Sequence, residues 1–61
     1  MMGESLRRAR LAAGWSGPRL AERVGVSANT VYRWERGEVR MTLPIRRLLL
    51  SVLPRSVRSL L

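Results

Sequence analysis

Three glycines, Gly14, Gly25 and Gly37, and three prolines, Pro18, Pro44 and Pro54, interrupt this chain so often that no long helix can run through it. Glycine readily takes the left-handed conformation that stops a helix, and proline is tolerated in a helix's first turn but not in its interior. The intervals between these residues read as short helices. Glu4 to Ala13 hold good helix formers and end at Gly14, with Leu6, Ala9 and Ala13 on one narrow apolar face and Arg7, Arg8 and Leu11 off it. Ser16 offers the cap of a second helix, with Pro18 in its first turn and Leu20, Ala21 and Val24 inside. A third runs from a Ser27 cap to Arg36, turning Val31 and Trp34 to one side. After a loop to Met41, Thr42 can cap a fourth helix with Ile45, Leu48, Leu49 and Val52 as its buried stripe. Beyond Pro54, Arg55 to Leu61 supply a last turn or two. With no strand alternation and no repeat, the chain reads as all-α, one domain over residues 1–61.

Charge narrows the partners. Twelve arginines against four glutamates give +8 over 61 residues, a balance that favours a polyanion, with nucleic acid ahead of an anionic membrane surface. Cysteine, histidine, aspartate and lysine are all absent. That removes disulfides, leaves only glutamates for a zinc site, and leaves glutamate, tyrosine and serine as the reactive side chains. No enzyme, no metal, no cofactor and no small-molecule substrate are expected. The N-terminus has no apolar core of a signal peptide, and Leu48 to Leu53 is far shorter than the ~20 residues of a membrane span, so the expected setting is the cytoplasm.

Residues 17–36 form a unit with a mechanism. Two short helices meet across Gly25-Val26-Ser27, a turn too tight for antiparallel packing: Gly25 ends one and Ser27 immediately caps the next. Ala21 lets the backbones approach, and Leu20, Val24, Val26, Val31 and Trp34 fill the angle. Such a corner is a helix-turn-helix, with its second helix free to enter a major groove.

Leu6, Arg10, Gly14, Ser16, Leu20-Ala21, Gly25-Val26-Ser27, Val31, Trp34-Glu35-Arg36-Gly37 and the leucine-rich segment after them together resemble the Cro/phage-repressor (XRE-type) helix-turn-helix family, from about Leu6 to Leu53. The resemblance implies a five-helix, lambda-repressor-like DNA-binding domain, a palindromic operator and a homodimer. It also implies an ion pair between Arg10 and Glu35 that ties the first helix to the third. Two departures stand out: Gly17 where the family commonly has a phosphate-gripping glutamine, and Ala9 where it usually buries a larger residue.

The recognition helix, residues 27–36, is legible without the family. With Val31 and Trp34 inward, Asn29, Tyr32, Arg33 and Arg36 form the opposite stripe and Ala28 its exposed tip. Arginine pairs bidentately with guanine, asparagine with adenine, and a small apolar side chain can touch a thymine methyl. Base contacts are therefore expected from Ala28, Asn29, Tyr32 and Arg33. Phosphate contacts are expected from Ser16, Arg36 and Arg40, with Arg19, Arg10 and Arg46 as additions.

The last third carries more leucine than one small core needs. Leu50, Val57, Leu60 and Leu61, within residues 50–61, are expected either to form a two-fold dimer contact, assembled in solution or only on DNA, or to fold back on the core. The expected function is a transcriptional repressor that occludes a promoter on double-stranded DNA. The competing readings are an antitoxin or protein-binding adaptor on the same fold, and a cationic membrane-surface peptide, which the three glycines and Pro44 oppose.

Overall fold

The computed structural model describes residues 2–61, and the expected 1–61 domain range therefore includes one residue, Met1, outside the described set. Four α-helices, α1 (Met2–Ala12), α2 (Gly17–Val24), α3 (Ala28–Glu35) and α4 (Leu43–Val52), precede a C-terminal 3-10 helix, Arg55–Leu60. The described residues contain no strand. Five helical elements in an all-α arrangement match the expected class.

Local chemistry accounts for most boundaries. Ser16 Oγ accepts from the Arg19 N–H at 3.2 Å, and Ser27 Oγ accepts from the Thr30 N–H at 3.2 Å. Each cap satisfies an N–H that a helix start otherwise leaves open. Thr42 holds the cap position of α4 but its side chain makes no cap bond. The first three helices close alike: Trp15 N–H bonds the Arg10 carbonyl at 3.1 Å, Val26 the Ala21 carbonyl at 3.0 Å and Glu38 the Arg33 carbonyl at 2.9 Å. This six-residue closure folds the chain back over the last turn and satisfies carbonyls the helix cannot. At Gly25 the closure needs φ +90°, where a side chain is strained.

Leu6 and Ala9 of α1, Leu20 and Ala21 of α2, Val31 and Trp34 of α3, and Leu49 of α4 are buried together with Met41, Leu53 and Val57. Ala9, the family's larger position, is fully buried all the same. The fourth helix differs from expectation. Leu49 and Leu53 are its deep residues, Ile45 and Val52 flank them, and Leu48 is 39% exposed. Leu49 and Leu53 are one turn apart and share a face, whereas Leu48 is rotated about 100° from Leu49. Met41, assigned to a loop, also enters the core.

Pro54 turns the chain, and the 3-10 helix comes back to pack against α1. Arg58 Nε helps hold it there, donating to the Leu53 carbonyl at 3.1 Å. Val57, expected either at a dimer contact or folded back on the core, is consequently 5% exposed inside the protomer. Leu61 packs on the same core and Leu50 is partly buried, while Leu60 remains 42% exposed.

Candidate nucleic-acid interface

The site is built on α3, and two anchors fix how α3 sits. One is α2, which packs directly against it through Leu20 and Ala21. The other is α1. Arg10 Nε donates to Glu35 Oε2 at 2.6 Å and Arg10 Nη2 to Glu35 Oε1 at 3.1 Å, a two-pronged pair whose side chains are only 8% and 6% exposed. Arg10 Nη1 also donates to the Trp15 carbonyl at 3.0 Å, so the same guanidinium pins the turn into α2. The bond to Glu35 holds the Arg10 guanidinium above its ordinary range, against the opposing pull of burial. Trp15 in turn carries the Arg23 guanidinium over its ring at 5.5 Å, a cation–π contact that braces α2 against that turn.

The consequences for α3 are directional. Val31 and Trp34 point into the core, and Asn29, Arg33 and Arg36 are exposed on the far side. Ala28 is not an open tip: it is partly buried and packs against the core. Tyr32 is also partly buried. Its ring lies so close over Gly17 that a Cβ there would overlap it. The missing side chain at Gly17, the departure from the family's glutamine, is thus the space in which Tyr32 rests. Arg10, expected among the phosphate contacts, has its guanidinium turned onto Glu35 and the Trp15 carbonyl, away from the exposed face of α3. Ser16, Arg19 and Arg40 are exposed; Arg46 is partly buried, with a Nε that finds no partner.

A corner of two short helices, closed by Gly25 and reopened by the Ser27 cap, with the second helix's polar face outward, is the geometry on which the decision turns. A family model described as a helix-turn-helix domain matches residues 2–57. The chain belongs to the helix-turn-helix domain family. Among curated relatives, a protein from Pyrobaculum aerophilum, whose name provisionally describes an HTH-type transcriptional regulatory protein, is 46% identical over 50 residues. That match takes in 82% of this chain and 20% of the Pyrobaculum protein, so the chain spans about a fifth of its relative's length. No solved structure matches it. No helix among the described residues is long and apolar enough to cross a membrane.

Around the recognition face of this helix-turn-helix lie features that sequence reasoning did not single out. A cleft of about 310 Å³ between α1 and α3 is lined by Arg7, Arg10, Tyr32, Glu35 and Arg36. With Arg10 paired to Glu35 and Arg36 to Glu38, Arg7 is the lining residue that adds net positive charge. The second feature is Glu38. Its carboxylate accepts a hydrogen bond from Arg36 Nε and lies 4.0 Å from Arg33 Nε. The hydrogen bond from Arg36 is the main cause that lowers the Glu38 carboxyl below its ordinary range. The signal for Glu38 is an acid placed just past the C-terminal end of α3, the wrong pole of the helix dipole for a carboxylate.

Proposed function

We propose that this helix-turn-helix binds double-stranded DNA sequence-specifically, with α3 in the major groove, and regulates transcription by occluding a promoter in the cytoplasm. The observation that carries this reading is the division of α3: Val31 and Trp34 are 0% and 4% exposed, while Asn29, Arg33 and Arg36 face outward from a chain of net charge +8. Arg33 and Asn29 are the base readers, the first suited to guanine and the second to adenine. Ala28 offers the flank of its methyl, and Tyr32, with its ring on Gly17, reaches base edges or a phosphate at the groove wall. Ser16, Arg19, Arg36, Arg40 and Arg46 grip phosphates on either side.

The protomer measures 26 × 21 × 18 Å, less than the 34–36 Å between successive half-sites, so one copy covers one half-site. In this reading the domain acts as a homodimer on a palindromic operator, with Leu60 and part of Leu50 as its apolar contact and DNA as the scaffold that overcomes repulsion between two +8 chains.

Selection of bound duplexes from a random pool, followed by a mobility-shift titration of the winner at several salt concentrations, tests the reading. Enrichment of a palindromic site and a log–log salt slope near −3 to −5 per protomer, for ~3–5 phosphates, are expected. Arg33→Gln should cost about 1–3 kcal/mol on the selected site. A pool that yields no enrichment, or a slope near zero, would end this reading in favour of an adaptor that docks protein.

A further inference from the structure

Glu38 occupies a place that neither folding nor DNA attraction explains. Its backbone is brought there by the closure of α3, through the Glu38 N–H bond to the Arg33 carbonyl. Its side chain then turns onto the two arginines of the reading face rather than into solvent. The arrangement is open to exchange, since the Arg33, Arg36 and Glu38 side chains are 52%, 54% and 50% exposed. An acid at a helix C-terminus, next to a surface meant for phosphates, is unfavourable on two counts.

We infer that Glu38 is a specificity-determining residue, an internal rival that weakens purely electrostatic contacts of Arg33 and Arg36 with phosphate while leaving base recognition by Arg33 intact. The inference rests on the DNA-binding reading above. A phosphate on this face must displace the Glu38 carboxylate from Arg36 or tolerate it as a close like charge. A guanine edge is different, because it carries no formal charge to repel the carboxylate. Glu38 approaches Arg33 from its Nε side, and the two Nη groups remain free for the paired acceptors of guanine. The carboxylate therefore penalises a site that offers backbone charge alone more than one that offers the matching base.

The test compares wild type with Glu38→Gln on the selected duplex and on a random duplex of the same length, across salt. Glu22→Gln, an exposed acid on α2 with the same change in net charge, is the control. Glu38→Gln should tighten binding to the random duplex about three- to tenfold and steepen its salt slope by about one. Affinity for the selected duplex should rise by a smaller factor, because there Arg33 meets a base and only Arg36 gains a phosphate, so the specificity ratio falls. Equal gains on both duplexes, or equal gains from Glu22→Gln, would reduce the effect to bulk charge and overturn the inference. If wild type discriminates between the duplexes and Glu38→Gln matches it on both, this inference alone fails. If wild type neither discriminates nor responds to salt, the DNA-binding reading fails first.

Discussion

Two arginine–glutamate pairs bracket α3 and differ in nearly everything but chemistry. Arg10–Glu35 lies between α1 and α3 with side chains 8% and 6% exposed; Arg36–Glu38 lies past the end of α3 with side chains 54% and 50% exposed. Each joins an arginine Nε to a glutamate carboxylate, so the surroundings decide what each is worth. In the buried pair, water cannot replace a lost partner, and the survivor keeps an uncompensated charge. In the exposed pair, water and salt stand ready on every side, and the partners can be traded for a phosphate or a base. One pair ties α3 to α1, and the other is the pair proposed above to tune what α3 meets.

The largest effect that could break this contrast is on stability. Glu35→Ala should destabilise by about 3–5 kcal/mol, lowering Tm by roughly 10 °C or more in a thermal melt. Replacing both partners, Arg10→Met with Glu35→Leu, should recover much of the loss, because apolar side chains there carry no charge to strand. An unchanged melt for Glu35→Ala would mean that the pair is no tighter than its exposed counterpart.

Gly3 extends the comparison to backbone. A Cβ at Gly3 would collide with the Trp34 and Glu35 carbonyls, so α1 approaches the end of α3 only because that side chain is absent. Glycine-to-alanine within a helix normally stabilises by about 0.5–1 kcal/mol. Here Gly3→Ala should do the opposite, costing about 1–3 kcal/mol by urea denaturation as the two helices are pushed apart. A gain in stability would show that α1 and α3 are held loosely.

Gly17→Ala sharpens the picture by a smaller amount. The obstacle is the Tyr32 ring, a side chain that can swing, so the cost should be about 1 kcal/mol or less and should shrink when combined with Tyr32→Ala. Additive losses in that double-mutant cycle would separate the two residues. The smallest effect belongs to the exposed pair. Arg36→Gln should leave Tm unchanged and let the Glu38 carboxyl rise toward its ordinary value of 4.5, followed by NMR pH titration. Because Arg36 lowers the folded pKa, whatever this pair adds to stability is present above that ordinary value and fades as pH falls through the lower folded one.

Much of the framework was legible in order along the chain. The caps at Ser16 and Ser27, the stop at Gly25 and the inward pair Val31 and Trp34 all follow from neighbours within a turn or two. The failures are of another kind. Leu48 satisfied helical periodicity as well as Leu53 did, yet Leu53 is buried and Leu48 is not. Which side of α4 faced inward depended on where α2 lay. Val57 was apolar and terminal, and its burial became visible only once Pro54 had turned it back toward α1. At the candidate site, the outward placement of Asn29 and Arg33 was readable from a helical wheel. The partial burial of Ala28 and Tyr32 was not, and the ring of Tyr32 over Gly17 joins residues on two different helices.

By itself the amino-acid order settled where helices begin and stop, which face of α3 is apolar, and that the surface is strongly cationic, because caps, breakers, 3.6-residue periodicity and net charge are local or additive properties. The Arg10–Glu35 pair was implied by the family resemblance, but the folded arrangement alone decided that it is buried, that Gly3 and Gly17 are sites of close approach, and that Glu38 reaches Arg33 and Arg36. Those outcomes depend on how closely helices approach and where the chain turns back, which local pattern does not specify, and on burial, which sets the strength of every charge the chain carries.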